Sequence, residues 1–287
     1  ARDFSRAATE YDAHAQLQQQ VLEQLLVLAE KRIAPQDRIL DAGCGTGRLK
    51  DYLPQQAVIG VDIAHGMAQT ALSRGERAVM ADITRLPFAE ATCDGVICNL
   101  ALQWVDVPQA VLEGFYRTLK PGGYVALATF GPETLRELRH AFAVVDRAVH
   151  VSPFPAMEVL LAQVQVAGLR VVEAKTETTY QSYTHPREVM RQLKDIGAGN
   201  KHVQRPRGLT TPRRMERVYE AYPSLRATSG SAAIQRGNTR HPERKRRIFL
   251  DKAPEILRFA QDDVLHSPRN DGVTATWEIY YLLLEKI

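Results

Sequence analysis

Apolar residues along this chain follow two rhythms: short unbroken runs closed by one polar residue, and stretches where apolar positions recur every three or four residues. The runs are Ile39-Leu40 before Asp41, Val58-Ile59-Gly60-Val61 before Asp62, Ala78-Val79-Met80-Ala81 before Asp82, and Gly95-Val96-Ile97-Cys98 before Asn99. An uninterrupted run bounded by turn residues fits a strand covered on both faces, as the strands of parallel sheets are. Leu17, Val21, Leu25 and Leu28 keep helical spacing, which predicts a helix from Ala15 to Lys31 with Pro35 as its stop. Phe4, Ala8 and Tyr11 fall at helical spacing ahead of it.

Farther along, a helix from Pro108 to Leu119 meets a Lys120-Pro121-Gly122-Gly123 turn and a fifth strand, Tyr124 to Thr129. Helices are predicted over Pro132 to Val149 and Ala156 to Ala167, a sixth strand over Leu169 to Ala174, and helices over Pro186 to Ile196 and Pro212 to Tyr222. The closing run, Ala275 to Glu285, is largely apolar on both faces and reads as an interior seventh strand. Alternating strand and helix predicts one α/β domain over residues 1–287, with helices on both faces of a Rossmann-like, mostly parallel sheet. Residues 132–150 and 185–228 depart from the alternation and are assigned to a helical cap, residues 1–14 to an N-terminal lid.

Gly43, Gly45 and Gly47 follow the first run directly. This is the pattern of a strand turning sharply into a helix, where missing side chains let a nucleoside ligand approach the backbone. Asp41 at the mouth of that loop would repel a pyrophosphate. It suits a ligand carrying an ammonium and a sulfonium, and S-adenosylmethionine carries both. A dinucleotide loop would also require a third glycine where Arg48 stands. Asp62 falls where an acid would bond ribose hydroxyls. Parallel strands end along one edge, so Asp41, Asp62, Asp82 and Asn99 should converge on one crevice; the alternative role for each later residue is a helix cap or turn.

The chain resembles the class I S-adenosylmethionine-dependent methyltransferases in LDAGCGTG, GVDIA, MADITRLPF, CDGVICNLALQWV and LKPGG. By that resemblance Asp41, Gly43, Gly45 and Gly47 hold the methionine portion, and Asp62 holds the ribose. Ile63 and Met67 belong to the same cofactor set, Asp82 with Ile83 holds the adenine, and Asn99 stands at the methyl-transfer edge. The class also implies an antiparallel last strand and a cap between strands six and seven. FSRAATEYDAHAQLQ, LALQW and REVMRQLKDIGAG resemble, more closely, the malonyl-acyl-carrier-protein O-methyltransferases of biotin biosynthesis, over residues 1 to 228 and 273 to 287.

Composition agrees with a cytoplasmic enzyme. The chain has 287 residues, 45% of them hydrophobic, and no run near the roughly 20 residues that span a bilayer. Its start lacks a signal-peptide core. Cys44, Cys93 and Cys98 form no C-x-x-C pair and leave an odd thiol, which suits a reducing compartment and predicts no metal site. The net charge of +4 raises the question of a nucleic-acid partner. Residues 229–272 answer it: nine Lys or Arg stand there against six acids, leaving the rest nearly neutral. No nucleic-acid or membrane partner is predicted, and a monomer is expected.

Methyl transfer from a sulfonium is an in-line displacement, so the protein chiefly aligns the nucleophile and excludes water. An acceptor carboxylate is ionised at neutral pH and needs no general base, but it needs a cation or donors to hold it. Tyr11, Gln103 and Trp104 are placed at the acceptor pocket, with Arg191, Lys194, Lys201 and His202 as candidate cations on the cap. The predicted acceptor is the free carboxylate of a malonyl thioester on acyl carrier protein or coenzyme A. Open alternatives are a trans-aconitate-like acid, a quinone precursor, and a non-catalytic S-adenosylmethionine-binding or assembly protein. Residues 231–271, broken by Pro242, Pro254 and Pro268 and resembling translated palindromic repeats, are predicted to be a flexible insertion.

Overall fold

Strand burial follows the apolar runs at residues 39–40, 58–61 and 95–98, whereas the run Ala78 to Ala81, expected to be covered on both faces, lies in an edge strand with Val79 and Met80 exposed. In a computed structural model that describes residues 1–198, 211–223 and 272–287, seven strands form one sheet. They are β1 (Arg38–Ala42), β2 (Ala57–Asp62), β3 (Arg77–Met80), β4 (Cys93–Asn99), β5 (Leu119–Phe130), β6 (Leu169–Tyr183) and β7 (Val273–Lys286). Their order is β3-β2-β1-β4-β5-β7-β6. The first five pair in parallel, and β7 lies antiparallel between β5 and β6, as its two apolar faces require. The chain steps outward from β1 in both directions. A crevice therefore opens between the C-terminal ends of β1 and β4, where Asp41 and Asn99 stand.

Helices cover both faces. One face carries α3 (Gln16–Ala29), whose Leu17, Val21 and Leu25 pack with Ile39, Ile97, Ala126 and Leu283. The other carries α6 (Pro108–Thr118) and α8 (Met157–Val166), whose Phe115 and Leu160 are fully buried with Leu40, Val96, Leu127 and Leu282. The alternation of strand side chains is thus divided cleanly between two cores. Before α3 come two short helices, α1 (Arg2–Ala7) and α2 (Tyr11–His14); α4 (Leu49–Tyr52) and α5 (His65–Ser73) follow β1 and β2. The remaining helices are α7 (Arg136–Val145), α9 (Pro186–Asp195) and α10 (Pro212–Ala221). Among the described residues no helix is long and apolar enough to cross a membrane, and no cluster of metal-ligating residues occurs.

Three elements differ from the expected ones. Strand β6 continues nine residues past Ala174 because it pairs along nearly the whole of β7, and its polar, exposed residues carry no apolar run. The Lys120-Pro121-Gly122-Gly123 turn is an irregularity inside β5, where the register jumps between the Cys93–Leu119 and Gly95–Tyr124 pairs. Helix α7 starts at Arg136 and not at Pro132, since the preceding residues are tied to β7. Gly131 N–H donates to Glu278 O (2.9 Å) and Leu135 N–H to Thr276 O (2.7 Å), and Leu135 adopts φ +56°. The proposed insertion at residues 231–271, and Lys201 and His202, lie outside the described residues.

Candidate active site

The glycine loop is shaped by what its glycines leave room for. Gly43 and Gly47 both adopt φ +80°. A Cβ on Gly43 would run into the Ala101 side chain, and one on Gly47 would meet the Glu76 carboxylate and lie 2.9 Å from Ala71 Cβ. At Gly45 nothing lies within 4 Å. The loop is therefore packed tightly at both ends and open at its crest. It is held by Gly43 and Cys44 N–H groups donating to Val61 O at 2.8 and 3.0 Å, and by Gly45 N–H donating to Asp62 Oδ2 at 3.0 Å. The other Asp62 oxygen accepts from Ala64 N–H at 2.7 Å, so one carboxylate ties together the loops after β1 and β2.

Three acids surround this loop. Asp41 is 5% exposed, and its carboxyl is raised well above the usual range by burial, then by Glu76 and Asp62. The Asp62 carboxyl is raised by burial, against the two backbone N–H bonds that lower it. Glu76 is 3% exposed, both its oxygens are buried without a hydrogen-bond partner, and burial followed by Asp51 pushes it up to about 7. Carboxyls destabilised by burial and by one another form a site that gains most from a positive ligand. A glycine loop backed by such groups suits a ligand bearing an ammonium and a sulfonium, and opposes a pyrophosphate.

The other cofactor positions divide. Met67 is buried with Ala8 and Ala64, against Phe4 and Tyr11, while Ile63 is 53% exposed beside the crevice. Asp82 caps the short 3-10 turn Ile83–Arg85 by accepting from Thr84 N–H at 2.8 Å. Ile83 belongs mostly to the core that holds Leu86 and Phe115. Asn99 does reach the crevice end of β4, yet its Nδ2 donates to Gln18 O at 2.9 Å, leaving Oδ1 buried and unpartnered.

The first two helices lie across the cofactor loops. Asp12 accepts from Thr46 Oγ1 (2.6 Å) and pairs with Arg48 (3.1 Å) and Arg74 (2.5 Å). Ser5 Oγ accepts from Gly66 N–H at 3.3 Å, and Phe4 meets Trp104 edge-on at 5.2 Å. Tyr11 is held beneath this cover, and burial, then Asp62 and Asp12, raise its phenol above the usual value.

A cavity of about 620 Å³ lies next to the end of β4, where Leu100 and Gln18, the acceptor of the Asn99 bond, line it. Tyr11, Gln103, Trp104 and Lys194 all line it. Arg191 does not: α9 turns Met190, Leu193 and Lys194 toward the cavity and leaves Arg191 exposed. Gln103 is fixed there by donating to Leu100 O (2.8 Å) and accepting from Thr129 Oγ1 (3.2 Å). Sequence reasoning missed the apolar walls, Phe130, Phe142, Phe154 and Trp277, and it missed His150. Each sits in a helix, strand or loop whose local pattern signals only packing. The one available clue was the density of aromatics between Phe130 and Phe154.

The family model described as a methyltransferase domain matches residues 40–127, the span that holds the glycine loop and its acids. A methyltransferase-class protein of Bacillus halodurans shares the fold with a TM-score of 0.56 at 15% identity, over 92% of this chain and 98% of that one. With these matches the cation-seeking loop acquires a class: an S-adenosylmethionine-dependent methyltransferase. A malonyl-acyl-carrier-protein O-methyltransferase of Laribacter hongkongensis is 35% identical over 89% of this chain and 93% of its own length. The enzyme of that name from Hahella chejuensis is 37% identical over 81% and 85%. The chain belongs to the malonyl-acyl-carrier-protein O-methyltransferase family.

Proposed function

We propose that the protein transfers a methyl group from S-adenosylmethionine to the free carboxylate of a malonyl thioester, carried by acyl carrier protein or coenzyme A, in the pimeloyl stage of biotin synthesis. The observation that carries this reading is a cavity walled by Phe130, Phe142, Phe154 and Trp277 that reaches Tyr11, whose phenol in turn feels Asp62 beside the glycine loop. S-adenosylmethionine supplies an activated methyl with a neutral leaving group. Asp41 and the glycine loop hold its charged end, and Asp62 holds its ribose. Tyr11, Trp104 and the two N-terminal helices exclude water, and Gln103 and Lys194 face the acceptor. An ionised carboxylate is already a nucleophile at neutral pH, so alignment and desolvation suffice. Esterification removes the acceptor's charge, which turns a polar primer into an apolar one. The three buried free cysteines support a reducing, cytoplasmic setting, and a monomer is part of the same reading.

The test is methyl transfer from labelled S-adenosylmethionine to malonyl-acyl carrier protein, malonyl-CoA, acetyl-CoA, aconitate and a quinone precursor. Esterification of the malonyl thioesters and none of acetyl-CoA is expected. Transfer confined to aconitate or the quinone precursor would overturn the assignment.

A further inference from the structure

A carboxylate drawn into an apolar cavity needs a charged or hydrogen-bonding partner at the point where it comes to rest. Arg6 and Lys194 line the cavity from exposed positions. His150 is different. Its side chain is 10% exposed, and its ring lies flat on Phe142, with centroids 3.8 Å apart and planes 6° from parallel. Its Nε2 is 3.0 Å from each oxygen of Asp146. Asp146 is itself held by Ala148 N–H at 2.7 Å and by Arg214 on α10.

This arrangement fixes both the orientation of the imidazole and the nitrogen that faces Asp146. Nε2–H donates to the carboxylate, which leaves Nδ1 as the second site on the ring. Arg214 already pairs with Asp146, so the carboxylate does not depend on His150 alone for its partner, and the second ring nitrogen is left to meet an acceptor at the cavity wall.

We propose that His150 is the residue that holds the acceptor carboxylate, donating Nδ1–H to it while Asp146 anchors the opposite nitrogen. This rests on the function proposed above and names the specificity element of that site. His150 here is a ligand for the nucleophile and takes no proton from it. Asp146 and Arg214 are positioning residues that act through the ring. A ring nitrogen that donates to the acceptor carboxylate selects malonyl over acetyl acceptors, and that contact weakens in the methyl ester, where the negative charge is gone.

The experiment uses the full chain saturated with S-adenosylhomocysteine and titrates it with malonyl-CoA or malonyl-CoA methyl ester, alongside steady-state kinetics with malonyl-CoA. Wild-type protein should bind the acid at least tenfold more tightly than the ester. His150→Gln should reduce that preference to within a few-fold. It should raise KM for malonyl-CoA tenfold or more, with a smaller change in kcat and unchanged affinity for S-adenosylhomocysteine. Asp146→Asn should move the same quantities in the same direction, and thermal melts report whether either variant has lost its fold. Wild-type turnover of malonyl-CoA tests the function itself. Given that turnover, unchanged acid-over-ester preference in a folded variant, or equal loss of acid and ester binding in both, would overturn the role of His150.

Discussion

The cofactor side of the crevice is built from backbone and carboxylates supplied by residues 41–76, whereas the acceptor side is built from large side chains drawn from segments as distant as Phe4 and Trp277. On the first side, shape depends on atoms that are absent: Gly43 and Gly47 have no room for a Cβ. On the second, shape depends on atoms that are present, in the rings of Phe130, Phe142, Phe154 and Trp277. The first should tolerate almost no substitution. The second should tolerate changes of volume at the expense of acceptor affinity alone.

The sharpest break in that comparison is Gly47→Val. It places a β-branched side chain at φ +80° and against Ala71, so strain and overpacking of several kcal/mol are expected. S-adenosylhomocysteine binding by calorimetry should fall more than a hundredfold. Phe154→Leu on the acceptor side should leave that affinity unchanged and raise acceptor KM by about tenfold. Comparable cofactor losses in the two variants would mean that the two sides are not separately built.

Asp62→Ala comes next. Its carboxylate bonds Gly45 and Ala64 N–H groups, and a charge-assisted pair of this kind contributes about 1–3 kcal/mol. Cofactor affinity should drop roughly ten- to a hundredfold, with acceptor KM little changed at saturating cofactor. NAD should not bind either protein; measurable NAD affinity in the wild type would contradict the electrostatic reading of the loop.

The same contrast explains what was readable in the sequence. Asp41, Asp62 and the glycines sit at the ends of apolar runs, so strand pattern and chemistry coincide at the same residues. Those runs mark the strands of the parallel part of the sheet, and the interior place of β7 follows from its two apolar faces. The acceptor cavity has no such marker. Phe142 and Trp277 occur where a helix and a strand need core residues anyway, and only tertiary packing decides that each also faces a cavity. His150 follows α7 in a loop, where sequence gives no reason to join it to Asp146 four residues back. Edge strand β6 was read short for a related reason: its pairing is a property of β7, and its own exposed residues are polar. Arg191 does not line the cavity, since spacing relates it to Lys194 without fixing which face of α9 meets the cavity.

A smaller effect concerns pH. In the free protein the Glu76 carboxyl is pushed up to about 7 by burial and by Asp51, with Lys50 and Arg74 opposing, and Asp41 is raised with it. A cationic ligand favours the ionised carboxyls, so its binding expels protons. S-adenosylmethionine affinity should therefore rise with pH up to about 7 and level off above it, with a slope of at most about tenfold per pH unit for one proton. Stability of the free protein moves the other way. The folded state holds a proton on Glu76 that the unfolded chain has released above about 4.5, so this group's contribution is lost as pH rises through 7. Glu76→Gln should flatten both profiles; an unchanged affinity slope in that variant would remove Glu76 from the linkage.

The smallest expected effect belongs to a segment on neither side of the crevice. Tyr222 donates its hydroxyl to Thr274 O at 3.1 Å, so the chain before Ser224 and the start of β7 lie about one tyrosine side chain apart. Joining Gly230 to Gly272 leaves seven residues, Ser224 to Gly230, between Pro223 and Gly272. Fully extended they reach roughly 23 Å, ample for that separation. Shortening a connection from 48 residues to seven lowers its closure cost by roughly 1.5 kcal/mol, so the melting temperature should stay level or rise slightly. The deletion also removes most of the chain's excess positive charge while leaving Asp41, Asp62, Tyr11 and His150 in place. Turnover with malonyl-CoA should stay within a few-fold of the parent, measured in the same assay as the full chain. A deleted protein that fails to fold would show that residues 231–271 pack into the domain. One that folds and still turns over malonyl-CoA, yet loses activity with malonyl-acyl carrier protein, would show that the segment serves the carrier.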